Sequence, residues 1–168
     1  MNIQEIRKIY RKTEQLSLIV ILLALPVFGV IYLFYDSGNQ LVNLTGISDF
    51  LIWVMSLLCI SVLIIQYILF DKKIKLTFEK DELVDKVKIY AQATTQRYLI
   101  LLLVSIISSV GLLLSKNPVF TLFFAIALVF FSLAKPTPDR MARLMKLKKE
   151  EKELIRTASR PEQPELDK

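Results

Sequence analysis

Four apolar runs, at 17–35, 50–70, 99–114 and 118–134, contain no Asp, Glu, Lys, Arg or His. A helix needs roughly 20 such residues to span a hydrocarbon core about 30 Å thick. In lipid the backbone must satisfy its own hydrogen bonds, which leaves the helix as the form for runs of this kind. The basic residues sharpen the constraint. Of 22 Lys and Arg residues, 21 cluster at one set of run ends: Arg7, Lys8, Arg11 and Lys12, seven within 71–97, and ten from Lys135 onward. Between the opposite ends stands only Lys116. Basic residues close to spans stay cytoplasmic. The expectation is an all-α integral membrane protein: a four-helix transmembrane bundle of up-down topology, both termini cytoplasmic, with cytoplasmic helical extensions.

Hydrophobic residues make up 54% of the 168, more than a soluble domain of that size buries. The first run follows a basic start, as a signal peptide would. It is longer than a signal's apolar region and ends in Tyr32, Phe34 and Tyr35 instead of a small-residue cleavage site, so it is expected as a retained span. Short loops, that retained span and the lack of a cysteine pair point to a bacterial inner (plasma) membrane. Within the net charge of +6, the clusters are +2 over 1–16, +2 over 71–97 and +3 over 135–168, each adjoining a membrane end, and Asp36, Asp49 and Lys116 together contribute −1. Anionic inner-leaflet lipid is the partner this implies, and nucleic acid is not.

Three regions follow. Residues 1–16 read as a cytoplasmic or interfacial helix, with Ile3, Ile6 and Tyr10 on one face. The transmembrane domain, 17–134, includes an external loop at 36–49 and a cytoplasmic segment at 71–97. Within that segment Leu83, Val87, Tyr90 and Thr94 keep one helical face apolar. Asn43-Leu44-Thr45 in the loop matches a glycosylation acceptor, a three-residue pattern common by chance. The link Ser115-Lys116-Asn117-Pro118 is short enough to force the last two spans antiparallel, with Pro118 suited to a first helical turn. Residues 135–168 hold a helix breaker, Lys135-Pro136-Thr137-Pro138, in which Thr137 can cap a new amphipathic helix over 138–157, and then a tail too polar to pack. Lys8-Ile9-Tyr10 before the first span and Lys88-Ile89-Tyr90 before the third suggest two hairpins related as a parallel repeat, although apolar helices resemble one another by composition.

Chemistry is sparse. Without an ionisable group inside a run, proton or ion coupling lacks its usual mark. The chain has no His, Ser105, Ser108 and Ser109 have no Lys base within their run, and the lone Cys59 lacks companion ligands, so no enzyme activity, metal or cofactor is expected. Polar residues within the runs include Ser56, Cys59 and Gln66 in the second, Ser105, Ser108 and Ser109 in the third, and Thr121 and Ser132 in the fourth. They read as stripes facing the bundle interior, where small and hydroxylated side chains let helices approach; the alternative is a solute path. In the terminal helix, Met141, Leu144, Met145, Leu154 and Ile155, with Lys148 and Lys149, form a surface for a partner or the membrane, or for packing on 78–97. The functional expectation is a non-enzymatic inner-membrane subunit or scaffold that binds a protein partner through its cytoplasmic helices. The alternative is a small homo-oligomeric transporter or pore for a neutral or lipophilic solute.

Overall fold

The computed structural model describes residues 3–38 and 49–160. Most of the loop expected at 36–49, with its Asn43-Leu44-Thr45 pattern, and the tail from 161 onward lie outside the described residues. The described elements are all helical: α1 (Ile3–Asp36), α2 (Asp49–Lys75), a 3-10 turn (Leu76–Glu79), α3 (Leu83–Ser115), α4 (Val119–Ala134), α5 (Pro138–Leu144) and α6 (Lys149–Ser159). By length and composition, α1, α2 with its 3-10 turn, and α3 can each cross a membrane. The helix α4 makes a fourth crossing only when taken together with α5, from which it bends by 86°.

The hub is α3, against which α1, α2 and α4 all pack. It runs parallel to α1, since ascending residues of the two helices share successive recesses. It runs antiparallel to α2, where Cys59 meets Ser108 and Phe70 meets Arg97, and to α4, where Tyr98 meets Phe131. The consecutive helices α1 and α2 make no substantial contact. The helices thus alternate in direction along the chain, with three of them gathered round α3. The reason lies in composition: Ser105, Ser108, Ser109 and Gly111 of α3 are all buried and small enough to admit neighbours on several sides. By contrast α2 buries a single line, Cys59, Gln66 and Ile74, and leaves large apolar residues around the rest of its circumference.

Two hydrophobic cores result. The apolar layer is built from Val20, Ala24 and Phe28 of α1, Cys59 of α2, Tyr98, Leu101, Val104 and Leu112 of α3, and Phe120, Phe124, Ala127 and Phe131 of α4. The Phe28 and Phe124 rings stack at 3.7 Å between centroids and 3° between planes. At its far end the α3–α4 hairpin is tight: a Cβ on Gly111 would lie 2.5 Å from the Phe120 ring. Lys116 turns the corner in the left-handed region at φ 52°, its N–H donating to the Leu112 carbonyl at 3.0 Å. Pro118 caps α4 immediately before the first helical turn.

The second core lies at the opposite, basic end, so the described chain starts and finishes on one side. Ile6, Tyr10, Ile74, Leu83, Val87, Tyr90, Met141, Met145, Ile155 and Ala158 pack together there. From Ile3 onward the N-terminal segment is continuous with the first long apolar helix in α1, with Ile6 and Tyr10 inside this core. The single helix expected over 138–157 is two. Thr137 does cap α5, accepting from the Arg140 N–H, with Pro138 opening the helix. But α5 ends in a Schellman motif, with Leu147 N–H donating to Ala142 and Lys146 N–H to Arg143, and Lys146 takes the left-handed φ of 51° that glycine usually fills. The turn lets α6 fold back onto α5 and α1.

Candidate functional site

The polar residues of the apolar layer fall into three groups. Ser105 and Ser109 are buried, but their hydroxyls donate to the Leu101 and Ser105 carbonyls of their own helix at 3.0 and 2.8 Å. Buried Ser108 meets Cys59, with Sγ and Oγ 4.0 Å apart, and half-buried Ser56 lies one turn along α2 from Cys59. Gln66 is fully enclosed, and neither amide atom has a hydrogen-bond partner; the Thr121 hydroxyl is likewise buried and unpartnered. Ser132 corrects the stripe expected on the fourth run, for it is exposed. The buried face of α4 is Phe120, Phe123, Phe124, Ala127, Phe131 and Ala134. Aromatic volume, rather than small hydroxylated residues, decides which way that helix turns.

Two recesses follow the α1–α3 seam. The deeper one, about 260 Å³, is bounded by Leu23, Val27, Leu102 and Ile106, with Ser105 and Ser109 behind them. Nearer the basic end, about 470 Å³ opens between Ile9, Leu16 and Leu99, with Lys12, Thr13, Gln92, Thr95 and Gln96 as its polar lining.

In the basic layer the expected partner surface is largely used up within the chain. Met141, Met145 and Ile155 are buried, and Leu144 and Leu154 pack half-buried against the same core. Of the seven residues placed on that surface, only Lys148 and Lys149 are exposed. The apolar side chains leave water by folding back on α1 and α3, the packing alternative for this segment. Ion pairs tie the elements across this core. Lys88 meets Glu5 at 2.8 Å, Lys86 meets Glu151 at 3.0 Å, and Asp139 receives Arg156 at 2.8 Å and Lys152 at 3.6 Å. The bound Arg156 guanidinium holds the Asp139 carboxyl below its usual range. Burial pushes the Glu151 carboxyl up, but the Lys148 N–H and the Lys86 ammonium together outweigh it and leave the group below its ordinary 4.5. Beside these pairs lies a recess of about 530 Å³ whose lining includes Glu5, Asp81, Glu82, Asp85 and Glu151, an acidic patch on a basic face. No group of three or more His, Cys, Asp or Glu among the described residues is placed to hold a metal ion.

One residue escaped the reading of the sequence. Arg97, counted among the basic residues before the third run, is only 6% exposed. Its guanidinium carbon lies 4.8 Å from the Phe70 ring centroid and 6.0 Å from that of Phe130, and its Nε has no partner. Burying an ion costs several kcal/mol, and a cation–π contact returns about 0.5–2. The available signal was position: Arg97 lies only two residues before Leu99, where the third apolar run starts, closer than any other basic residue at the basic ends lies to the start of a run.

No protein-family model, curated protein or solved structure matches this chain.

Proposed function

We propose that the protein is a non-enzymatic membrane subunit or scaffold of four spans, resident in a bacterial inner membrane, with its basic layer and both termini cytoplasmic. That layer holds a protein partner. The observation that carries the reading is the second core: segments as distant in sequence as Ile6, Ile74, Val87, Met141 and Ile155 meet in one folded body attached to the ends of the long apolar helices. A body of that kind needs no such construction merely to anchor helices, which composition alone achieves. Because its apolar residues are internal, the partner surface is assigned to the acidic recess, where exposed Asp81 and Glu82 would receive a basic segment.

The test is purification of the full chain in mild detergent. A stoichiometric partner should be retained by the native protein and lost by the pair Asp81→Lys with Glu82→Lys, whose exposed positions leave the fold intact. Removal of 138–168 is a poor substitute, since it strips Ile155 and Met141 from the core. Orientation has its own check: a reporter active only outside the cytoplasm, fused after Lys168, should be silent.

The transporter reading draws on the serine-backed recess and on unpartnered Gln66. Against it, the serine hydroxyls already donate along their own helix. A symmetric oligomer that moves a neutral solute in liposomes, with selectivity altered by Gln66→Leu, would displace the scaffold reading.

A further inference from the structure

Arg97 lies where the basic-side ends of α2 and α4 meet α3 and touch each other only lightly. The residue is 6% exposed, its guanidinium is flanked by Phe70 and Phe130, and it makes no hydrogen bond or ion pair with any described residue. The charged and titratable groups acting on it are Arg140 of α5, Tyr67 of α2, and Tyr90 and Tyr98 of its own helix. None is a carboxylate. The carboxylates that form ion pairs in this layer are engaged elsewhere: Asp71 with Lys75, Glu5 with Lys88, Glu151 with Lys86, Glu153 with Arg156, and Asp139 with Arg156 and Lys152.

An enclosed cation beside a second cation is unfavourable, and aromatic faces recover only part of the lost hydration. A lysine would escape by losing its proton, but a guanidinium stays charged. The remaining way to neutralise it is an anion from outside the chain. The planar fork of Arg matches two oxygens of a phosphate, and the level of Arg97, just below an apolar run, is where headgroup phosphates lie. We propose that Arg97, with Arg140, binds a phosphate group where the basic-side ends of α2 and α4 meet α3. The phosphate is the diester of an anionic phospholipid headgroup or a free phosphate. The site stands independently of the partner reading.

The experiment uses the full chain, delipidated in detergent, with native mass spectrometry and thermal unfolding as readouts. Four probes are compared at equal ionic strength: phosphatidylglycerol, phosphatidylcholine, inorganic phosphate and chloride. One phosphatidylglycerol should be retained per chain and should raise the unfolding temperature, with phosphatidylcholine weaker because its choline cation meets Arg140. Arg97→Gln should weaken retention about tenfold or more, as expected for loss of a charged hydrogen-bonded pair. Arg97→Lys should also weaken it, because the charge remains while the fork is lost. Arg140→Gln, at a less buried position, should cost about threefold. Stabilisation by inorganic phosphate equal to that by lipid would assign the site to a soluble ligand. If no phosphate-bearing probe outperforms chloride, the proposal is overturned. It fails equally if Arg97→Lys and Arg140→Gln both bind phosphatidylglycerol as the native protein does; these two decide the matter should Arg97→Gln not fold.

Discussion

The apolar layer and the basic layer are both closed by buried side chains, yet they are held by different forces. In the membrane setting proposed for the long helices, lipid tails are as apolar as leucine, so no hydrophobic drive brings those helices together, and fit must do it. The Phe28–Phe124 stack and the Phe120 ring pressed on Gly111 are contacts of fit. In the basic layer water is the competitor, and each apolar side chain withdrawn from it contributes about 25 cal/mol per Å². Here the contacts are isoleucines and methionines from distant segments, rimmed by ion pairs. The lesson is that one helix can obey two packing rules along its length: α3 is gathered by shape at Gly111 and by burial at Val87.

The strongest attempt to break this contrast is Ile155→Ala. Truncating a fully buried isoleucine should destabilise the basic layer by about 2–5 kcal/mol, read as earlier thermal unfolding and new proteolysis near 145–148. Loss of the apolar layer at the same temperature would show that the two cores are one cooperative unit. Next is Gly111→Ala, expected to cost about 1–3 kcal/mol by overpacking against Phe120. Adding Phe120→Leu should recover part of the loss, and an unperturbed single variant would refute packing by fit at this corner. A smaller effect, about 1 kcal/mol, is expected for Thr137→Ala, which removes the cap of α5; backbone amide exchange in α5 should rise while that in α4 does not. The smallest is a pH effect. The Glu151 carboxyl is held below 4.5, so its contribution is fully present above that value and is lost as pH falls through the lower folded one. Unfolding temperature should therefore drop faster in acid for the native chain than for Glu151→Gln.

Much of this was legible beforehand. Runs of apolar residues announce long helices because lipid and core alike exclude charge, and the helix start at Thr137-Pro138 follows from local backbone chemistry. Three things were not. The turn after Leu144 contains neither Gly nor Pro; Lys146 adopts the left-handed backbone because folding α6 back buries Ile155 and Leu147, a tertiary gain invisible in the local sequence. The exposed side of Ser132 follows from four phenylalanines competing for the same interior, so a rule about small residues misplaces it. And Arg97 resembled its neighbours in the basic count until Phe70 and Phe130, distant in sequence, were seen to enclose it.

The absence of substantial contact between α1 and α2 has a consequence in time. Chains are made from the N-terminus at about 5–20 residues per second, so roughly 2–8 s separate the ends of α2 and α3. During that interval the first two helices have no packing surface for each other, and the α2 face bearing Gln66 has no α3 to cover it. Assembly must wait for residues 83–115 to emerge. The nascent chain is thus a pair of independent helices before it is a bundle, and the moment of its completion is set by the ribosome.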